Sequence, residues 1–452
     1  MKRGLHHALC ALALAALAAG CGGGGGGISS PPNAGLLDLA FGAGGRLAQA
    51  PHLASQSLQA MVVDAAGNVF VTGSSSRGDF GVVKVNANGI PDPAFGVGGR
   101  SDVDIDGNHD QAVAIEIDDS GNLYVAGTTS SDPLGRKRFV VVKLRPDGTV
   151  AQDFGVGGRA VVEGAQSSLD ASGLMRDSQG NLYVTGTVYP DGGGAAFAVA
   201  KLDAGGQRVT GFGAAGLLTI VFEQASHATA NKSAVARDRL GNMYMGGTAF
   251  PGPGPSRIQT LSLAIAKIDP AGNLVAEFAG GGKLVMPVCP TGNASGARAL
   301  AVDRDDGLYV AASTTSCGHP VAVDTMLKLD RRGQLVGSFG NNGVRYGTFG
   351  TTPADRGDIN AIAVGPDGGI FVAGNGDGPP GCQTFRVAKL DSNGGLAPGF
   401  ASNGVFRGVL YGIRVASALA LAFDPEGRLY VGGDRAATCS MPSPFFELIR
   451  LK

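Results

Sequence analysis

The side chains of this 452-residue chain that could do chemistry are few and scattered. Beyond the first twenty residues the histidines are His52, His109, His227 and His319. Zinc needs three or four ligands within about 2 Å of one point. No short spacing joins these four, so they read as solvated loop residues. The run Asp102-Val103-Asp104-Ile105-Asp106-Gly107-Asn108-His109-Asp110 begins as a calcium loop does, with carboxylates at alternate positions. The twelfth place, which should hold a bidentate Glu, is Val113. The same alternation suits one face of an edge strand, where acidic side chains guard against pairing with another chain. Asp102, Asp104 and Asp106 are therefore metal candidates with a structural alternative. Gly96-Val97-Gly98-Gly99 invites a phosphate-loop reading, but no helix pattern follows and no Lys-Ser/Thr closes the motif. No Gly-x-Ser-x-Gly elbow occurs in a strand-to-helix setting.

The elements that must position these residues follow from composition. Gly supplies 76 residues and Trp none; hydrophobic residues make up 44%, enough for a core, which excludes a disordered chain. The glycines follow no three-residue period, which excludes collagen. A net charge of −1 leaves no polycationic footprint for nucleic acid. Lys2 and Arg3 precede an apolar stretch, Ala8–Gly20, too short to span a bilayer. It ends in Leu17-Ala18-Ala19-Gly20-Cys21, which resembles a bacterial lipobox. The resemblance implies a signal peptide over residues 1–20 and lipidation of Cys21. Residues 21–35, with six glycines and then Pro31-Pro32, read as a flexible tether. Gly22 rather than Asp after the Cys implies sorting to the outer membrane of a bacterial cell envelope.

One pattern fills residues 36–452. It reads Asp-x-x-Gly-Asn, then an apolar and aromatic run, then Gly, as in Asp64–Gly73, Asp118–Gly127 and Asp177–Gly186. Seven copies recur at intervals of about sixty residues. The fifth carries Asp306 as an extra residue before Gly307, and the sixth begins at Gly365 in place of Asp. Each unit holds four strand-like runs, among them Asn122-Leu123-Tyr124-Val125-Ala126 and Phe139-Val140-Val141-Val142-Lys143-Leu144. Four strands on such a period predict a seven-bladed β-propeller, all-β, with four antiparallel strands per blade. The Asp-x-x-Gly segments read as hairpin turns in which Asp accepts from nearby backbone N–H groups. Four residues before each turn stand Ala60, Ala114, Gly173, Ala234, Ala299, Ala361 and Ala420, small enough to let inner strands crowd around an axis.

The unit Val-Ala-Lys-Leu-Asp followed by Phe-Gly-x-x-Gly, present with departures in Val142–Gly158 (Val142-Lys143-Leu144-Arg145, then Phe154-Gly155) and Val387–Gly404 (Phe400-Ala401), resembles the delta-60 repeat of bacterial exported proteins, and more distantly NHL-type repeats. The family implies a propeller and no particular chemistry. Among propeller enzymes, lactonase-like ones hold calcium at the axis; Glu116, Asp170, Asn231, Asp358 and Asn360 fall on or beside inner strands and could supply such a site, or could be wet channel residues. Asp358 joins the metal candidates.

The repeat starts in mid-unit. Leu37–Gly45 leads into a fourth strand with no third before it, and Phe445–Lys452 is a third strand with no fourth. Residues around Arg46–Ala50 are thus expected to be the outer strand of the last blade. Links between strands two and three vary in length and share a face with the links between blades, which marks that face for recognition. Cys289, Cys317, Cys382 and Cys439 all map there; adjacency favours the disulfides Cys289–Cys317 and Cys382–Cys439. The resulting expectation is a monomeric, lipid-anchored, non-enzymatic scaffold without cofactor. It holds the membrane through Cys21 and binds an unknown protein or polymer, not nucleic acid. The alternatives are a metal-dependent hydrolase or lyase with its site at the axis, and a purely structural envelope protein.

Overall fold

The computed structural model describes residues 35–47 and 58–452, less 76, 108–109, 131–133, 252–259, 289–293, 315–322, 350–356, 378–382, 409–414 and 439–440. All six cysteines, and His52, His109 and His319, lie outside the described residues. The described chain forms seven antiparallel sheets in sequence order. Blade two is representative: Gln111–Ile117, Leu123–Thr129, Arg138–Leu144 and Arg159–Val162 pair each with the next. The first strands of neighbouring blades touch all the way round, and that of blade seven meets that of blade one. The first strand is therefore innermost, and the molecule is a seven-bladed β-propeller.

The turns between strands one and two follow their chemistry. Asp64 Oδ1 accepts from the amides of Ala66 (2.9 Å) and Asn68 (2.8 Å), while Oδ2 takes the Asn68 side-chain amide at 2.7 Å. Gly67 supplies the positive φ of +80°. The fifth turn corrects the sequence reading. Asp306 is not an extra residue: it occupies the glycine place with φ +61°, and Gly307 takes the asparagine place, its amide bound to Asp303 Oδ1 at 2.7 Å. Aspartate is among the few residues that tolerate the left-handed region.

A second regularity was not read from the sequence. The last basic residue of every third strand lies over the aromatic ring of its own second strand. Lys143 sits 5.3 Å from Tyr124, Lys267 4.7 Å from Tyr244 and Arg450 5.7 Å from Tyr430. That ring meets, edge to face, the phenylalanine of the Phe-Gly or Phe-Ala link, as in Tyr124–Phe154 at 5.8 Å and Phe371–Phe400 at 5.6 Å. The phenylalanine then packs on the next blade. A Cβ on Gly206 would fall 2.9 Å from Phe154, and Gly155 N donates to Gly205 O at 2.7 Å.

The two chain segments close the ring inside a single turn. Gly35 N donates to Lys452 O, and Gly35 has φ +79°, close to Gly394 at +80° in blade six. Leu37 then bridges Leu451 and Arg46 bridges Ile449, both antiparallel, as a fourth strand should. Leu47 N donates to Leu448 O at 2.9 Å. Beneath this seam Arg450, buried, holds buried Asp38 at 2.8 Å and donates to Ala87 O of blade one at 2.7 Å. A chain lacking residues 36–50 should melt far below the full chain in a thermal scan, and Asp38→Ala should cost roughly 3–5 kcal/mol in denaturant titration because it strands the Arg450 charge. Midpoints that stay put in both would refute closure by this segment.

Candidate functional site

The functional site grows out of a defect shared by the inner strands. In blades two to seven each inner strand breaks register with its neighbour at the same height. In blades two, three, six and seven one residue is extra: Val113, Ser172, Asn360 and Leu419. In blade five Gly296, Ala297 and Arg298 stand across from Ala312 alone. Blade four inserts most: residues 231–234 face only Gly246, and Ser233 takes φ +60°. A β-bulge bends its strand and re-aims a side chain.

The bulge also explains the glycine that ends the strand-two motif. A Cβ on Gly127 would lie 2.0 Å from Gln111 O, and one on Gly374 1.9 Å from Asp358 O. The bulged strand presses its carbonyl onto strand two, where only hydrogen leaves room.

Bulge residues of blades four to seven, with Leu58 and Gln59 leading into blade one, line an axial cavity of about 460 Å³. Its lining includes Lys232, Arg298, Asn231, Asn360, Thr248 and Asp434. Lys232 Nζ crosses the axis from blade four to donate to Gln59 Oε1 at 3.0 Å. Asn231 and Asn360 each donate to an inner-strand carbonyl of the following blade, Ala297 O at 2.9 Å and Ala418 O at 3.0 Å. Inner strands run from the variable links toward the Asp turns, and these residues stand before the turn by five places or more. The cavity therefore opens on the variable face.

Burial sets the protonation of this site. Asp434 is pushed up to about 6 by burial, with the Leu58 amide, 3.1 Å away, pulling the other way. Burial lowers the Lys232 ammonium below its ordinary value; the Asp170 charge opposes this and Lys137 adds to it. At the opposite mouth Glu116 is raised to about 7 by burial, against the pull of Arg237 and Arg176.

The residues singled out in the sequence divide among several places. Asn231 and Asn360 reach the axial cavity. Asp358 is held by Arg298 at 2.9 Å. Asp170 is held by Lys137 at 2.9 Å and by the Thr128 hydroxyl. Asp102 pairs with Arg100 and Asp106 with Arg138, while Asp104 turns away from both toward Asp79 and Asp110. His227 stacks on Phe250 at 4.4 Å and bonds the Ser226 hydroxyl. Sequence reasoning missed Lys232, Arg298, Gln59 and Asp434. The signal for three of them was the place five or six residues before the turn, where polar side chains interrupt an apolar strand.

No protein-family model matches the sequence, and no curated protein does. Solved structures do resemble the fold. An ulvan lyase, of a polysaccharide lyase family, bound to -[GlcA(1-4)Rha3S]- aligns with TM-score 0.51 at 11% identity, over 90% of this chain and 94% of that one. A second structure titled for the same lyase family gives 0.50 over the same shares, again at 11% identity. A gluconolactonase from Xanthomonas campestris aligns at 17% identity over 90% of this chain and 99% of that one, with TM-score 0.37. Identities this low carry the fold and nothing finer.

The Asp434 shift fixes a pH dependence. The folded protein keeps this proton up to about pH 6, whereas an unperturbed carboxyl releases it near 3.8. Ionisation thus favours unfolding, so this contribution to stability falls as pH rises between those values and is constant above. In Asp434→Asn the melting temperature, relative to wild type, should climb from pH 4 to pH 6 and then level off. Parallel curves across that range would show that Asp434 is not strained by burial.

Proposed function

We propose that this protein is a bacterial, lipid-anchored delta-60-repeat propeller of the outer membrane that binds an acidic polymer segment at its axial mouth. One observation carries the reading. The cavity sets Lys232, the Arg298 guanidinium that also pairs with Asp358 behind the lining, amides and hydroxyls against a single lining carboxylate, Asp434, which keeps its proton up to about pH 6. Such a lining suits a polar ligand bearing negative charge. The layout agrees with anchoring. Residue 35 enters at a turn between strands three and four, on the face of the Asp turns. A tether over residues 21–35, fixed at Cys21, would leave the variable face and its cavity pointing away from the membrane. The proposed disulfides Cys289–Cys317 and Cys382–Cys439 would brace links on that same outward face.

A second reading, a lyase or hydrolase acting at the axis, is favoured by one feature. Asp434 and Lys232 share the cavity, and burial disfavours the charged form of each, which is how a carboxyl and an amine are tuned for proton transfer near neutral pH. The similar lyase structure was solved with an acidic oligosaccharide.

Calorimetry with oligogalacturonate and a neutral dextran oligomer of equal length tests both. The acidic oligomer should bind with an affinity that falls as salt rises, and Lys232→Met should weaken it by about tenfold or more. Indifference of the wild type to the acidic oligomer, or full affinity in Lys232→Met, would sink the binding reading. Growth of the ultraviolet absorbance of an unsaturated uronate would decide for a lyase. Separately, non-reducing peptide mapping should recover the two stated cysteine pairs, and any other pairing would count against the assignment of those links.

A further inference from the structure

Two links meet on the variable face at the junction of blades one and two. One joins strands two and three of blade one through Ser75–Asp79; the other joins the blades through Asp104–Asp110. Asp110 N donates to Gly78 O at 2.6 Å, which fixes them against each other. The contact gathers three carboxylates: one oxygen each from Asp79, Asp104 and Asp110 lies within 4.8 Å of the other two.

No basic side chain pairs with these three carboxylates among the described residues; Arg159 reaches this link only at the main-chain oxygens of Asp104 and Ile105. Arg100 is engaged with Asp102, Arg138 with Asp106 and Glu163, and Lys137 with Asp170. Asp110 is only 3% exposed. Its Oδ2 accepts from Ile105 N at 3.0 Å, while its Oδ1 is buried without a hydrogen-bond partner. Burial pushes the Asp110 carboxyl up; the Thr129 hydroxyl and Ile105 amide offset part of this, and the Asp104 and Asp106 charges add to it. A buried carboxylate with an open oxygen, beside two others, is costly without a counter-charge.

We propose that Asp79, Asp104 and Asp110 bind one calcium ion that clamps the two links together. The donors are all oxygens, which selects a hard cation. Oxygens bound to a common Ca²⁺ at about 2.4 Å can stand no more than about 4.8 Å apart, a limit that all three pairs meet. This site differs from the linear loop suggested by the alternating aspartates. Asp102 and Asp106 belong to arginines, and Asp79 comes from another link 25 residues upstream of Asp104. The inference is independent of what the axial cavity binds.

Asp104 is exposed, and Asn in its place keeps the acceptor for Gly107 N, so Asp104→Asn should fold. The purified protein is stripped with chelator and titrated with CaCl₂ by calorimetry, with parallel thermal scans. Wild type should bind one equivalent and melt several degrees higher at saturating calcium. Asp104→Asn and Asp79→Asn should lose affinity by about tenfold or more, and the exposed-side control Asp102→Asn should match wild type. In chelator, Asp104→Asn should melt no lower than wild type, because a repulsive charge is gone; a merely structural Asp104 would not give that reversal. Absence of calcium heat and of any melting shift in wild type, or wild-type affinity in Asp104→Asn, would overturn the site.

Discussion

A basic side chain laid on an aromatic ring, with that ring edge-on to a phenylalanine, is the interaction on which the rest of this propeller depends. It occurs in all seven blades, from Lys84–Phe70–Phe95 to Arg450–Tyr430–Phe41. Each stack ties strand two to strand three and to the link that follows. An edge-to-face pair adds about 0.5–1.5 kcal/mol beyond its buried area. Its greater effect is geometric. The phenylalanine abuts the turn glycine of the next blade, so each blade fixes the height of its neighbour. In a repeat protein, stability is set by such nearest-neighbour terms. The ring makes the last of them reciprocal: Gly89 of blade one packs on Phe41, which the N-terminal segment contributes to blade seven.

Fixing the heights of the blades also fixes the heights of the bulges. Because the inner strands of blades two to seven break register at one level, the re-aimed side chains of blades four to seven converge on one cavity instead of lining a tube. The cost is borne in strand two, where the approach of a carbonyl to about 2 Å of a would-be Cβ leaves only glycine. Blade five departs in a telling way. Its strand two has Ala312 where the others have glycine, and its bulge is wider, with three residues across from one. Arg298, within this wider bulge, lines the cavity. A loosened local rule thus coincides with a charged side chain at the site, as does the long bulge that delivers Lys232.

The fold was legible because its signals are periodic. Asp turns, strand-two aromatics and Phe-Gly links repeat at near-constant spacing, and seven weak signals in phase make one strong one. The closure was legible for the same reason, since an interrupted period shows where the chain must rejoin itself. The fifth turn was misread because Gly307 looked like the turn residue, when Asp306 holds the left-handed conformation. The basic–aromatic stacks were visible as letters but not as contacts, because strand three reaches strand two only once the register is known. The axial residues were mostly illegible for the opposite reason: they break the period. Lys232 looks like a polar interruption of a poor strand until an insertion of three residues turns it across the axis to Gln59. Asn231 and Asn360 were singled out as polar side chains on inner strands, candidates for an axial calcium or for wet channel residues; in the structure their amides bond to carbonyls of the next blade.

The position of the chain opening bears on how such a ring can be loaded. Had the ends met between two blades, the seam would be held only by side-chain packing and single inter-blade bonds such as Gly155 N to Gly205 O, and a pull on the N-terminal segment would part the ring there more readily. Here the seam falls inside a sheet. The segment that begins at Gly35 is paired to strand three of blade seven by backbone bonds on both sides of its Phe41 link, and Arg450 beneath it is bonded to both Asp38 and blade one. Tension along that segment is shared by several hydrogen bonds and by a buried ion pair, which resist together. The opposite face, with its links of unequal length, is left free of this load. One sheet edge thus carries the closure while the links and the axial cavity are free to vary, which is how a single repeating unit can keep its ring and still change what it presents.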